Sequence, residues 1–537
     1  MSSSRPSINE IRILQPADRR TDRVGTLVIE PTAVGDGSGL LQADVTLQYA
    51  SAAAVDQFLS PPNTRATQVA EQLDCIPGFR VTRLPLDEQI MPTALAWTPD
   101  GTLVVASLKG RVWFAKDADG DGLEDKIWPY SDELAAPYGL ATGAGYVDVL
   151  NKSALLRLCD NDADGRADRT ETIASGWGHT DDYHDWAVGL PRDQKGHYYV
   201  ALPCQQDERD PAAAYLRGRI LRLIPQPPSP HEPRRFRIES WAAGQRFPMG
   251  LALSRQGQLL ATDNQGNYNP FNELNHIERG RNYGFINRLE RGVGDPPPLT
   301  PPAVNIPHPW TRSVNGICFL EAPDTQEKPG TPPFGPFAGH LVGCEYDTRR
   351  LIRMSLQAVD GRLQGAAYPL SLESVAEGEA MLGPICCAVS PGGRLYVGSV
   401  RDSGWGAANN VGEVLQIEMD SEQLPCGIRT VTATPTGFRL DFTRPVDIDR
   451  AASRQRYAIA SYFRISTPAY GGDDQQRRQV AVKQVRVAPD ALSVELDVEP
   501  LVAERVYEIR LQPLIADGDF FPAEAFYTLN RLAPRSP

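Results

Sequence analysis

Two acidic loops hold the most regular chemistry in the chain. Asp117, Asp119, Asp121 and Asp125 occupy positions one, three, five and nine of a stretch with Gly122 at position six, and Asp160, Asp162, Asp164 and Asp168 repeat that spacing around Gly165. A hard cation such as Ca2+ takes roughly six to eight oxygen ligands, and carboxylates alternating around a sharp glycine turn converge on one point. Both loops are therefore expected to bind calcium, with solvated acidic turns as the alternative. Glu171 stands at position twelve of the second loop, where a two-oxygen ligand closes the shell; in the first loop that place is Trp128. The loops fall between strand-like runs, which favours a structural ion over a catalytic one.

The densest polar cluster is Gly178-His179-Thr180-Asp181-Asp182-Tyr183-His184-Asp185-Trp186, and the chain has only seven histidines. Two of them in one loop, just ahead of a strand-like run, point to a site. His184 is the candidate general base, with Asp185 as the acidic neighbour that orients it. His179, Asp181, Asp182 and Trp186 are candidate substrate contacts, and Tyr268 and Trp310 add aromatic surface beside Asn264 and Gln265. Loop packing is the plainer reading of these aromatic and amide groups.

Such residues act together only if strands bring them to one place. Six segments share a cassette of small-apolar strand, turn and second strand: Thr93 to Ala115, Tyr138 to Leu158, Val188 to Leu202, Met249 to Asn264, Asn315 to Met354 and Cys387 to Ile417. A strand beside a crowded propeller axis favours small residues, and outer strands alternate apolar and polar faces. Spread over residues 73–420, the cassettes predict a six-bladed β-propeller, at about 58 residues per blade with its loops. In most, a third strand follows, as in Gly110 to Phe114 and Gly412 to Ile417. From residue 426 to 532 the pattern changes to alternating runs such as Gly437 to Phe442 and Ser493 to Val498, which predict an immunoglobulin-like β-sandwich. Residues 1–72 form a β-rich extension with two strand-like runs. The fold class expected is all-β, in keeping with 46 glycines and 46 prolines that break up short apolar runs.

A net charge of -13 without basic clusters excludes a nucleic-acid backbone as partner. No run approaches the roughly 20 apolar residues of a membrane-spanning helix, so no integral membrane segment is expected. Residues 1–20 lack the apolar core of an export signal. The eight cysteines form no CxxC or CxxCH pattern, and several sit in apolar runs as small buried hydrophobes.

The order of several motifs resembles the glucose/sorbosone dehydrogenases, β-propellers that use pyrroloquinoline quinone and calcium. Gly78-Phe79-Arg80-Val81 with Pro92 to Trp97 and Pro99-Asp100-Gly101 is similar to that family's first blade. Arg246-Phe247-Pro248-Met249-Gly250 echoes its arginine motif, and Asn272-Glu273-Leu274-Asn275 followed by Asn282-Tyr283-Gly284 matches its next stretch in order. The resemblance implies that His184 accepts a proton from a sugar or polyol hydroxyl while Arg246 stabilises developing negative charge. In place of the family's Arg-x-Arg-Asp strand stands Leu382-Gly383-Pro384-Ile385-Cys386-Cys387, which leaves Arg246, Asn264, Gln265, Arg312, Arg349 and Arg350 as candidate cofactor-binding residues. The layout as a whole looks more like the propeller modules named membrane-bound dehydrogenases, and family likeness suggests a periplasmic or exported protein. Without a haem motif, the electron acceptor implied is another protein. Two other classes stay open: a carbohydrate- or protein-binding propeller without redox chemistry, and a calcium-dependent lactonase-type hydrolase.

Overall fold

In the computed structural model the described residues are 28–30, 44–46, 69–182, 185–204, 210–227, 235–289, 298–321, 333–373, 381–407 and 409–534. His184 lies outside them. The sequence cassettes fold as antiparallel meanders, each strand pairing with the next. Sheet one holds Pro92–Trp97, Leu103–Ser107, Arg111–Lys116 and Lys126–Ser131; sheet two holds Leu140–Gly143, Tyr146–Leu150, Ala154–Cys159 and Arg169–Ser175. Sheet three runs from Val188–Arg192 through Tyr198–Leu202 and Arg219–Pro225 to Phe236–Ala243, and sheet four from Gly250–Leu253 through Leu259–Asp263 and Asn272–His276 to Val304–Ile306. Sheet five comprises Val314–Phe319, Leu341–Glu345, Arg350–Val359 and Arg362–Pro369. Sheet six begins with Pro384–Val389, Leu395–Arg401 and Val411–Met419, and is completed by Phe79–Arg83 and Glu71–Leu73 from the start of the body.

The first strands of successive sheets are neighbours in cyclic order, and that of sheet six returns to that of sheet one. The fold is accordingly nearly all-β and propeller-like. Alternation along the strands binds each sheet to both its neighbours. Leu103 and Val105 pack with Tyr396 and Val414 of sheet six, whereas Val104 between them packs with Val147 and Val149 of sheet two. Glycine lets the inner strands approach. A Cβ on Gly139 would stand 1.7 Å from the carbonyl oxygen of Gly189, and one on Gly250 would stand 2.4 Å from that of Asn315.

The C-terminal region adds two sheets. One pairs Ile428–Thr434, Gly437–Phe442, Ser493–Val498 and Val482–Val487; the other pairs Gln475–Gln479, Tyr457–Phe463, Arg505–Leu511 and Glu524–Leu529. Phe438, Leu440, Val494 and Leu496 of the first share a core with Ile459, Tyr507, Ile509 and Tyr527 of the second. Glu524–Leu529 also pairs with Arg362–Pro369, so the second sheet continues sheet five. A fully buried arginine reinforces that join: Arg353 donates to the carbonyls of Arg429 and Ile428 at 2.6 and 2.9 Å. Residues Arg65–Pro537 form one compact unit. Met1–Thr64 forms another, in which Val28–Glu30 pairs with Asp44–Thr46. Among the described residues no helix is long and apolar enough to cross a membrane.

Overfilling the axis should be felt directly. Gly139→Ala forces its methyl into the Gly189 carbonyl, and overpacking of this kind costs about 1–3 kcal/mol. Thermal unfolding should show a lowered midpoint, and an unchanged midpoint would mean that the inner strands have room to separate.

Candidate functional site

The starts of the inner strands and the loops after the second strands enclose a cavity of about 450 Å3. A row of rings crosses it. Tyr138 stacks on Trp186 at 4.6 Å between centroids, Trp186 meets Trp405 edge-on at 5.5 Å, and Trp405 meets Tyr346 at 5.2 Å. Arg246, Arg312, Asn264, Gln265 and Asn315 supply the polar lining, and Tyr470 reaches in from the C-terminal region.

Buried carboxylates set the positions of both arginines. Strands that begin at the mouth carry backbone N–H groups without a ladder partner, and leaving such groups unpaired in the interior is costly. Asp263, the last residue of Leu259–Asp263, accepts from the Arg246 and Phe247 amides at 2.7 and 2.5 Å. Glu345, the last residue of Leu341–Glu345, accepts from the Arg312 and Ser313 amides at 2.9 and 2.6 Å. The same device thus recurs in sheets four and five, and each time an arginine projects beside it. Arg246 is itself 9 % exposed and donates from Nη1 to the Gln265 carbonyl at 3.2 Å. Its guanidinium lies 5.4 Å from the Tyr470 ring centre. Gly266 makes room for it, since a Cβ there would stand 2.3 Å from Nε.

Burial raises the pKa of Asp263 to about 6, against the pull of the two amides and of Arg246. Glu273 faces Asp263 across the strand pair and is fully enclosed. Burial, then the neighbouring Asp263 charge, pushes its carboxyl well above the usual range, with Asn275 opposing.

Several expected site residues line the cavity: Arg246, Asn264, Gln265, Arg312 and Trp186. Asp185 serves its own loop. It accepts from Thr180 N and Oγ1 at 2.8 and 2.5 Å, while buried Arg217 gathers the carbonyls of Gly178, Trp186 and Asp185. Asp181 and Asp182 are held through their carbonyls by Lys152, and with His179 they lie outside the lining. Trp310 is placed elsewhere than expected: its ring packs 4.5 Å from Phe526, and its Nε1 donates to Glu524. Arg350 is turned toward the same join and donates to the Trp310 carbonyl, and Arg349 does not line the cavity. Tyr268 is drawn to Phe285 and to the C-terminal region, where the Thr467 carbonyl accepts from its amide. For Trp310 the reason is apolar area at the seam with the C-terminal region, among Phe271, Tyr462, Val506 and Phe526, which the repeat pattern did not contain.

Residues overlooked from sequence include Asp263, Glu345, Tyr138, Tyr346 and Tyr470. The signal for the first two was present, since both second strands end their five-residue runs, Leu-Leu-Ala-Thr-Asp and Leu-Val-Gly-Cys-Glu, on an acid.

The acidic loops lie at the opposite ends of their sheets, between third and fourth strands. Carboxylate oxygens of Asp117, Asp119 and Asp121 come within 4.8 Å of one another, as do those of Asp160, Asp162 and Asp168. Carboxylates inside and outside these groups accept backbone amides of their own loops, Asp117 from Gly120, Asp125 from Ala118, Asp160 from Ala163 and Asp164 from Arg166. Glu171 is engaged by Arg169 and Arg235, so position twelve of the second loop is occupied by ion pairs.

Residues 66–284 match the model of a family described as a domain of unknown function, DUF7133. No curated protein matches. The chain is similar to an oxidoreductase (glucose dehydrogenase) from Thermus thermophilus, with 23 % identity and a TM-score of 0.46 over 63 % of this chain and 100 % of that one. It is also similar to the quinone-bound aldose sugar dehydrogenase of Streptomyces coelicolor, at 17 % and 0.43 over 67 % and 100 %. A third is the pyranose dehydrogenase quinone domain of Coprinopsis cinerea, at 13 % and 0.45 over 66 % and 98 %.

The buried acid pair gives the fold a pH dependence of known sign. Glu273 has a folded pKa above its ordinary 4.5, so its contribution to stability is full below that value and is lost as pH rises toward the folded pKa. Glu273→Gln fixes the neutral form. Unfolding measured from pH 5 to 8 should show this variant gaining on the wild type by up to ~1.4 kcal/mol per pH unit, whereas parallel curves would contradict the direction.

Proposed function

We propose that the chain is a six-bladed β-propeller with a C-terminal immunoglobulin-like sandwich, and that its mouth cavity oxidises a hydroxyl of a sugar or polyol with pyrroloquinoline quinone. The observation that carries this reading is the buried Arg246 guanidinium in an aromatic cavity whose lining includes three orphaned polar atoms. Tyr138 Oη, Tyr346 Oη and Asn264 Oδ1 are buried there without a hydrogen-bond partner, and such atoms normally have one. A planar, multiply anionic cofactor fits the donor set: Arg246 and Arg312 would hold carboxylates, and the Trp405 and Tyr346 rings offer faces for a flat ring system. The quinone, when bound, supplies a two-electron acceptor. Arg246 holds negative charge in place, and the aromatic row keeps water from that end of the cavity. In this proposal His184 accepts the hydroxyl proton, the role that the family resemblance gives it. Reduced cofactor then requires an electron-acceptor protein.

One observation favours a second reading, a carbohydrate-binding propeller without redox chemistry. The strand Pro384–Val389 brings Ile385, and no cation, to the cavity. A lactonase-type site needs acidic ligands around a central ion. Among the described residues, three-carboxylate groups occur only in the two acidic loops.

Calcium in those loops would act on the joins between sheets. Gly122 of the first accepts from Arg394 and Gln416 of sheet six at 3.3 and 2.9 Å, and Tyr396 of the same sheet donates to Glu124. In the second, Gly165 accepts from Trp128 Nε1 of sheet one at 3.0 Å. An ion fixing either loop stiffens a seam of the ring.

Two measurements test these proposals. Titration of the protein with pyrroloquinoline quinone should quench tryptophan fluorescence saturably, and the loaded protein should reduce an artificial acceptor with an aldose or polyol. Arg246→Ala should weaken uptake by roughly 10- to 150-fold, the loss of about 1.5–3 kcal/mol for a charge-assisted bond; no spectral change on adding quinone would overturn the dehydrogenase reading. Separately, chelator should lower the unfolding midpoint and Ca2+ should restore it, while Asp119→Asn combined with Asp162→Asn should abolish that response. A midpoint indifferent to both would remove calcium from the account.

A further inference from the structure

The loop between the strands Tyr457–Phe463 and Gln475–Gln479 leaves the C-terminal region and lies along the mouth. It is fastened there. The Thr467 and Pro468 carbonyls accept from Tyr268 N and Asn267 Nδ2, each at 2.7 Å, Ser466 Oγ donates to the Tyr268 carbonyl at 2.7 Å, and Gly471 N donates to the Gly266 carbonyl at 3.0 Å. Asn267 and Tyr470 form a β-bridge. At its base Arg464, 8 % exposed, pairs with Asp474 at 2.8 Å and donates to the carbonyls of Pro270 and His308. This degree of anchoring makes the loop a wall of the cavity rather than a passing surface strand.

The residue of this loop that lines the cavity is Tyr470. The ring lines the cavity and sits 5.4 Å from the Arg246 guanidinium, yet the residue is 66 % exposed. A ring that lines a cavity and remains open to solvent on a fastened loop offers a face that a ligand can cover. One side of the residue answers to the arginine, and the rest is free for a ligand that extends out of the cavity. In the same lining Asn264 Oδ1 is an acceptor without a partner, which suits a hydroxyl group, while an aromatic face suits the C–H face of a sugar ring.

We propose that Tyr470 is a specificity-determining residue: it stacks on the second ring of a neutral saccharide whose first ring occupies the cavity, so the protein prefers oligosaccharides to monosaccharides. The inference rests on the mouth being a sugar site, which both readings above share, and not on the quinone. The C-terminal region then belongs to the binding site as well as to the scaffold.

Calorimetric titration of the full chain with glucose, cellobiose, maltose and laminaribiose tests this. At least one disaccharide should bind about tenfold tighter than glucose. Tyr470→Ala should lower that disaccharide's affinity about tenfold more than glucose's, and Tyr470→Phe, which keeps the ring, should preserve the preference. Equal losses for both ligands, an unchanged ratio in Tyr470→Ala, or no binding of any of the four sugars would overturn the proposal. A Tyr470-dependent preference in a protein that takes up no quinone would retain it and remove the dehydrogenase reading; quinone uptake with a Tyr470-independent preference would do the reverse.

Discussion

Paired backbone amides at the start of an inner strand, each pair caught by one buried carboxylate, are the constraint on which the mouth depends. Inner strands enter the ring from a neighbouring sheet and arrive without ladder partners for their first N–H groups. Asp263 and Glu345 supply acceptors at those entrances. The arrangement is finely balanced at Asp263. Burial raises the carboxyl from 3.8 to about 6 even with both amides bound to it, and this is still below neutral pH, so the anion is kept. Because the captured amides belong to Arg246, Phe247, Arg312 and Ser313, the carboxylates aim two cations and one aromatic ring into a single space.

The residues made the strand cassettes legible because each reports a local rule. Small residues mark the inner strands, and Gly139 and Gly250 touch the next sheet's backbone as that rule requires. Most of the expected C-terminal strands also appear, with Gly437–Phe442 and Ser493–Val498 at their expected bounds. What was illegible depends on contacts far apart in the chain. Trp310 and Arg350 look like mouth residues by blade order, but Phe526 and Glu524, more than two hundred positions on, offer Trp310 a better-packed partner. Tyr470 carries no periodic signal at all. Its role follows from a loop register set by Arg464 and by the turn at Gly266, neither of which announces itself in a linear pattern.

The C-terminal region and the ring are also one mechanical object. A strand pairing continues sheet five into it, and Arg353, stripped of solvent and with no carboxylate partner among the described residues, is held by backbone carbonyls and lies within 4.4 Å of the Phe337 and Tyr368 ring centres. Burial lowers its pKa to about 10, still far above neutrality, so the charge is kept. A join of this kind explains why a loop from one part can serve as a dependable wall for a cavity in the other.

The ligand site proposed is the mouth cavity around Arg246, not the apolar space at the other end of the inner strands, of about 380 Å3 and lined by Leu95, Leu190 and Ile317. A crystal structure of the full chain grown with pyrroloquinoline quinone and cellobiose distinguishes the two. Density is expected between Arg246, Arg312 and Trp405, with a sugar ring against Tyr470. Density confined to the apolar end, or a mouth that stays empty while ligand is bound elsewhere, would contradict it.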